Sequence, residues 1–216
     1  MTTPALTLYH NPKSRSAGTR VLLEALGVDY RVELLDFASG QTRTPAFLAL
    51  NPLGKLPTLV HGEAVITEQV AITIYLADRF PEAGLAPAFD HPLRGPYLRW
   101  LAFYAGCFEP AVVDHAFKRE PVDPVTSPYR DYDTVIDALV SQLACADYLL
   151  GDTLTAADLL WGNALMWTTE FGIVPKHPVI LAYMQRIGEH PAVARARELD
   201  AALTAETSPA PAAPAD

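Results

Sequence analysis

The stretch Tyr9-His10-Asn11-Pro12-Lys13-Ser14-Arg15-Ser16 sets two serine hydroxyls where a β-prone run passes into a helix. At such a point the unpaired amides and the macrodipole of the helix start favour negative charge. A serine held there can donate a hydrogen bond to a thiolate and, by favouring the charged form, lower the pKa of a thiol. The same residue types also serve as ordinary helix caps, so the loop by itself leaves both readings open.

Two further stretches carry chemistry of the same kind. In Asn51-Pro52-Leu53-Gly54-Lys55-Leu56-Pro57-Thr58-Leu59, a proline interrupts a β-prone run where it has no amide to give a ladder. In trans it marks a sheet edge. If the Leu56–Pro57 bond is cis, the Leu56 amide and carbonyl face outward, free to pair with a peptide-like ligand as an added strand. In Val65-Ile66-Thr67-Glu68-Gln69-Val70-Ala71-Ile72, a strand ends and a helix begins with Glu68 and Gln69 in its first turn. Those groups suit a ligand bearing both an ammonium and a carboxylate, and an acid there also fits plain dipole matching.

The elements that must position these residues follow from periodicity and punctuation. Ala5–His10 reads as a strand, and the apolar positions Val21, Leu22, Ala25 and Leu26 as a helix capped by serine and stopped by Gly27. Tyr30–Leu35 reads as a second strand, 41–50 as a short helix, 56–60 and 64–66 as a hairpin, and 68–80 as a helix. The order β-α-β-(α)-β-β-α within residues 1–80 is a parallel βαβ unit followed by a hairpin and a covering helix. A proline-punctuated linker fills 81–92. Helices are expected over 93–117, 129–147, 155–171, 178–188 and 191–203, and the Ala/Pro/Ser-rich tail 204–216 is expected to be disordered.

Taken in order, the three motifs resemble the amino-terminal domain of the cytosolic glutathione transferase family. In that family this domain is an α/β thioredoxin-like fold with a cis-proline, followed by an all-α domain. Gly151-Asp152-Thr153-Leu154-Thr155-Ala156-Ala157-Asp158-Leu159 is similar to the family's capping box, with Thr155 as N-cap, Asp158 as its N3 partner, and Leu154 with Leu159 as the staple. The resemblance implies that Ser14, in a Tyr-x-x-Pro-x-Ser pattern like that of the serine-type delta and theta classes, hydrogen-bonds the glutathione thiolate. Ser16 and Tyr9 remain rivals for that role. It further implies that Leu56, before Pro57, pairs with the cysteinyl part of glutathione and that Glu68 and Gln69 hold its γ-glutamyl end, Gln69 standing where serine is usual. Arg15 and Lys55 are candidates for the glycyl carboxylate. The implied reaction is conjugation of glutathione to a small apolar electrophile. Glutathione-dependent peroxide reduction, dehalogenation or isomerisation, and non-enzymatic ligand binding, stand as alternatives.

On the helix after the linker, Tyr97, Trp100, Leu101, Tyr104 and Phe108 recur at three- and four-residue steps. Tyr104 and Phe108 are expected to wall the electrophile pocket, with Lys118 available to an acidic substrate group. Cys107 and Cys145 lie far from the serine loop and show no metal spacing, which argues against a protein thiol in the chemistry and against a zinc site. No metal or other cofactor is expected; glutathione is a co-substrate. The charge is balanced over residues 1–80, so the whole net charge of −9 falls on the second segment. An acidic chain without a basic patch argues against nucleic acid as a partner. No signal sequence or membrane span is read, and a cytoplasmic protein is expected. The family resemblance implies a homodimer.

Overall fold

The computed structural model describes residues 5–207. Alternation of apolar residues along Leu6–His10 (β1) buries Leu6, Leu8 and His10 on one face, and β1 becomes an inner strand of a four-stranded sheet ordered β2-β1-β3-β4. β2 (Tyr30–Leu34) runs parallel to β1, with Leu8 opposite Val32. β3 (Thr58–His61) is antiparallel to β1, with Leu8 opposite Leu59, and β4 (Ala64–Ile66) completes the hairpin. Crossing from β1 to β2 is α1 (Ser16–Leu26), which ends at Gly27 in the left-handed region (φ 64°), where a residue with a Cβ is disfavoured. A 3₁₀ turn (Gln41–Arg43) and α2 (Pro45–Leu50) occupy the expected short-helix segment, and α3 (Gln69–Arg79) follows β4. The result is a thioredoxin-like α/β unit.

The second half is helical: α4 (Arg94–Phe103), a π-helical turn (Tyr104–Phe108), α5 (Glu109–Ala116), α6 (Tyr132–Leu143), α7 (Ala156–Glu170), α8 (Pro178–Gly188) and α9 (Pro191–Thr207). α9 continues through residues 204–207, so the helix takes in the start of the stretch read as a disordered tail; the rest of that stretch lies outside the described residues. Among the described residues no helix is long and apolar enough to cross a membrane.

Trp161 of α7 is the hub of the helical core. Its ring is fully buried, lies 4.7 Å from the Phe108 ring and 5.3 Å from that of Tyr104, and its Nε1–H donates to the Trp100 carbonyl. That donation satisfies the one polar atom the indole would otherwise bury unpaired. Next to it, Gly162 lets α7 and α8 touch: a Cβ built there would stand 2.5 Å from Ile187. Gly162→Val is therefore expected to overpack this crossing and lower stability by about 1–3 kcal/mol, read as a fall in the urea midpoint at unchanged slope.

The two halves are braced by ion pairs. Arg94, at the start of α4, makes a bidentate pair with Asp78 of α3, both bonds 2.7 Å. Such a fork is the stronger geometry for a guanidinium–carboxylate contact. Between them the linker carries a 3₁₀ turn (Pro81–Ala83), and the Leu85 carbonyl accepts the Ala156 amide at the head of α7.

Candidate active site

The serine loop lies between the end of β1 and the start of α1, against α7 and α9. The first helical residue is Ser16, and the N-cap position falls on Arg15, whose side chain does not cap. The expectation of an ordinary serine N-cap is thus only partly met. Ser14 Oγ accepts the Ser16 amide (3.1 Å) and donates to the Asn11 carbonyl (2.8 Å), tying the loop to itself rather than to the second turn. Asn11 anchors the loop to the next strand end by donating from Nδ2 to Leu35 O.

The three candidate hydroxyls occupy different environments. Ser14 is half-buried on the wall of a cavity of about 660 Å³ between the loop, α1, α7 and α9. Ser16 is fully buried, its hydroxyl held by Asn11 N, Ser14 Oγ and His10 Nδ1. Tyr9 packs its ring 5.5 Å from Phe47 of α2, on the sheet face away from His10, and does not line the cavity. The cavity's apolar wall comes from Met166, Trp167 and Phe171 at the end of α7 and from Val193 and Ala196 on α9, with Lys13, Glu170 and Arg197 at its polar edge.

Arg15 also lines this cavity. Its guanidinium pairs with Glu109 at the start of α5 (Nη2–Oε2 2.7 Å), and it lies over the Trp167 ring at 5.3 Å. The same carboxylate accepts the Tyr104 hydroxyl. Burial opposes the Arg15 charge, Glu109 outweighs it, and the guanidinium pKa rises above its ordinary value. The pair links the loop to the second half across 94 positions of sequence. A double-mutant cycle of Arg15→Ala and Glu109→Gln is expected to give a coupling of about 1 kcal/mol, since side-chain exposure of 39% on the arginine screens part of the attraction.

The remaining candidates separate into two groups. The Leu56–Pro57 peptide is cis, and among the described residues neither the amide nor the carbonyl of Leu56 has a hydrogen-bond partner within the protein. Lys55 is exposed, while its carbonyl is held by Asn51 Nδ2 and Thr58 Oγ1. Glu68, also exposed, sits at φ 63° and ψ 117° before α3, a conformation that non-glycine residues adopt at a cost and that recurs at ligand sites. Gln69 turns away from this edge: its amide donates to the Arg15 carbonyl (3.1 Å), and its Oε1 is buried without a partner among the described residues. Gln69 therefore braces α3 against the serine loop instead of facing the edge where Glu68 is open.

The expected electrophile wall does not hold. Tyr104 and Phe108 are buried against Trp161, in one core with Tyr97, Trp100 and Leu101 before them, and neither lines the Ser14 cavity. Burial, reinforced by Glu109, pushes the Tyr104 phenol well above its ordinary pKa. Lys118, two residues past the end of α5, lines a different, smaller cavity with Arg119, Tyr129 and Arg130. The wall that the sequence did not single out is Met166, Phe171 and Ala196. Trp167 lines the cavity beside them.

Fold and loop together define a glutathione-transferase-like protein, and comparison with known proteins agrees. Residues 4–78 match the family model for the glutathione S-transferase amino-terminal domain, and residues 130–191 that for its carboxy-terminal domain. Glutathione S-transferase 2 of Schizosaccharomyces pombe is 32% identical over 176 residues, covering 77% of this chain and 75% of the relative. Glutathione S-transferase 1 of Dianthus caryophyllus is 46% identical over 68 residues, a match spanning about a third of each chain. A solved sphingomonad glutathione S-transferase complexed with glutathione superimposes with a TM-score of 0.74 at 28% identity, over 90% of this chain and 98% of that one. The chain belongs to the glutathione S-transferase family.

Proposed function

We propose that this chain is a glutathione transferase of serine type, akin to the delta and theta classes, that conjugates glutathione to a small apolar electrophile. The observation that carries the reading is that, of the three candidate hydroxyls, Ser14 alone stands on the wall of the cavity, at the helix start where a developing thiolate is favoured. Residues 1–80 serve as the glutathione half, residues 93–203 as the helical half, and 81–92 as the linker.

In this reading the unpaired amide and carbonyl of Leu56 take the cysteinyl backbone of glutathione as an added strand, and cis-Pro57 follows them. Glu68 faces the γ-glutamyl ammonium, and the exposed Lys55 the glycyl carboxylate. Ser14 donates to the sulfur, and the apolar electrophile lies against Met166, Trp167 and Phe171. Family resemblance supports a cytoplasmic homodimer with a detoxifying role.

Calorimetric titration with glutathione tests the first half of the reading, and initial rates on a panel of aryl halides, epoxides, peroxides and mixed disulfides test the second. Saturable binding with conjugate formation on the apolar electrophiles is the expected result. Absence of binding at millimolar glutathione overturns the reading, and turnover confined to the peroxides or disulfides moves the chain to reduction.

A further inference from the structure

Behind Ser14 the structure holds a chain of hydrogen bonds that thiolate stabilisation alone does not require. Ser14 Oγ lies 2.7 Å from Ser16 Oγ, Ser16 Oγ lies 2.8 Å from His10 Nδ1, and His10 Nε2 lies 2.9 Å from Asp200 Oδ1. His10 and Ser16 are both fully buried. Asp200 belongs to α9 and shares a wall of the same cavity with Ser14. We propose that His10, braced by Asp200, receives the thiol proton of bound glutathione through Ser16 and Ser14; this rests on the reading that the glutathione thiol meets Ser14.

The hydrogen-bonding capacities close in both states. With the ring neutral, Nε2–H faces the Asp200 carboxylate, so Nδ1 is an acceptor. Ser16 then donates to Nδ1 and accepts the Asn11 amide and the Ser14 hydroxyl; Ser14 turns its one hydrogen from the Asn11 carbonyl, which keeps the Ser14 amide as its donor, to Ser16, accepts the Ser16 amide, and keeps one lone pair for a thiol S–H. On ionisation the thiol proton passes to Ser14 Oγ, the Ser14 proton to Ser16 Oγ, and the Ser16 proton to His10 Nδ1. One S–H bond breaks and one N–H bond forms, with no net change at either hydroxyl. Afterwards Nδ1–H donates to Ser16, Ser16 donates to Ser14, and Ser14 donates to the thiolate. Proton transfer thus leaves the Ser14 hydrogen aimed at the sulfur, while before it that hydrogen points inward.

Charged groups stand around the ring on two sides. From α9, Asp200 faces Nε2. From α1, Arg20 pairs with Asp200 and donates from Nε to the Tyr30 hydroxyl, which in turn donates to Glu24. Across β2 the ring's own strand meets Leu34, which carries no charge. The set Arg20, Asp200 and Glu24 holds one positive and two negative charges. Burial pushes the Tyr30 phenol up to about 12, so this hydroxyl stays protonated and adds no charge.

The test uses the full chain and glutathione itself. Thiolate formation is followed by ultraviolet absorbance against pH, and protons released to solvent are counted by calorimetry in two buffers of different ionisation enthalpy. In the unaltered protein, thiolate forms while well under half a proton per site leaves the protein, because His10 retains it. In His10→Gln and in Asp200→Asn, thiolate onset moves up by about one pH unit, and proton release rises toward one where thiolate does form. Asp200→Asn, partly exposed and isosteric, gives the answer if His10→Gln folds poorly. A structural role alone would lower the melting temperature and kcat without moving the proton count. Release of a full proton by the unaltered protein, or an unmoved onset in a folded variant that binds glutathione, overturns the relay while leaving the transferase reading intact. No glutathione binding by the unaltered protein overturns the functional reading, and the relay with it.

Discussion

Asp158→Ala is expected to destabilise the protein by about 3–5 kcal/mol, a fall in Tm of about 8–15 °C for a chain of this length. The side chain is fully buried and accepts four hydrogen bonds: from the Leu149 amide (2.8 Å), the Thr155 amide (2.8 Å), the Thr155 hydroxyl (2.7 Å) and the Tyr183 hydroxyl (2.9 Å). These donors come from the segment before α7, the cap of α7, and α8, so one carboxylate closes a three-way junction. Burial pushes the Asp158 carboxyl above its ordinary pKa against the effect of those bonds. Charge as such is therefore no source of stability here. The cost of removal lies in four donors left in a space without water, each worth about 1–3 kcal/mol when orphaned but sharing one cavity and not additive.

Asp158→Asn separates the two contributions. It keeps the volume and one acceptor, and turns an amide NH₂ toward groups that themselves donate, so a loss of about 1–3 kcal/mol is expected. Thermal and urea unfolding measure both variants. A loss under about 1 kcal/mol for Asp158→Ala would mean that water enters the junction and that the capping box is not the fastening the geometry describes.

That box was legible because its signal is local. Thr155 and Asp158 lie three apart, and the spacing alone places both on one helix start. The loop, Pro57 and Glu68 were legible for the same reason: each is a short run with turn chemistry of its own. Periodicity also gave the strands and most helices, since the alternation in Leu6–His10 and the spacing of Val21, Leu22, Ala25 and Leu26 in α1 are properties of neighbouring residues. It does not tell a core face from a cavity wall. Tyr97, Trp100, Leu101, Tyr104 and Phe108 are all buried, so the stripe is one core face and its far end does not wall the Ser14 cavity. Long-range partners were illegible for another reason. Nothing near Arg15 announces Glu109, 94 positions on, and nothing near His10 announces Asp200, 190 positions on. Those pairings exist only once α1 packs against α7 and α9, and they decide that Arg15 braces the halves together.

Ser14→Ala is expected to lower kcat/KM about 10²–10³-fold, roughly 3–4 kcal/mol of transition-state stabilisation, while leaving glutathione affinity within a few-fold. The asymmetry follows from where the contacts lie. The backbone groups of Leu56 and the Glu68 edge would hold glutathione by its peptide and γ-glutamyl parts, and neither depends on Ser14. What is lost is the donor to sulfur. Folding should change little, because Ser14 is half-buried and water can reach the Asn11 carbonyl and Ser16 amide that it leaves. Ser16→Ala has the opposite profile. Its hydroxyl is fully buried among Asn11, Ser14 and His10, so that variant should lose about 1–3 kcal/mol of stability along with its activity. Steady-state kinetics, a glutathione titration and a melting curve on both variants separate the profiles. Full activity in Ser14→Ala together with inactivity in Tyr9→Phe would move the donor to the tyrosine. The Tyr9 ring would then have to leave Phe47, its partner at 5.5 Å, to reach the ligand.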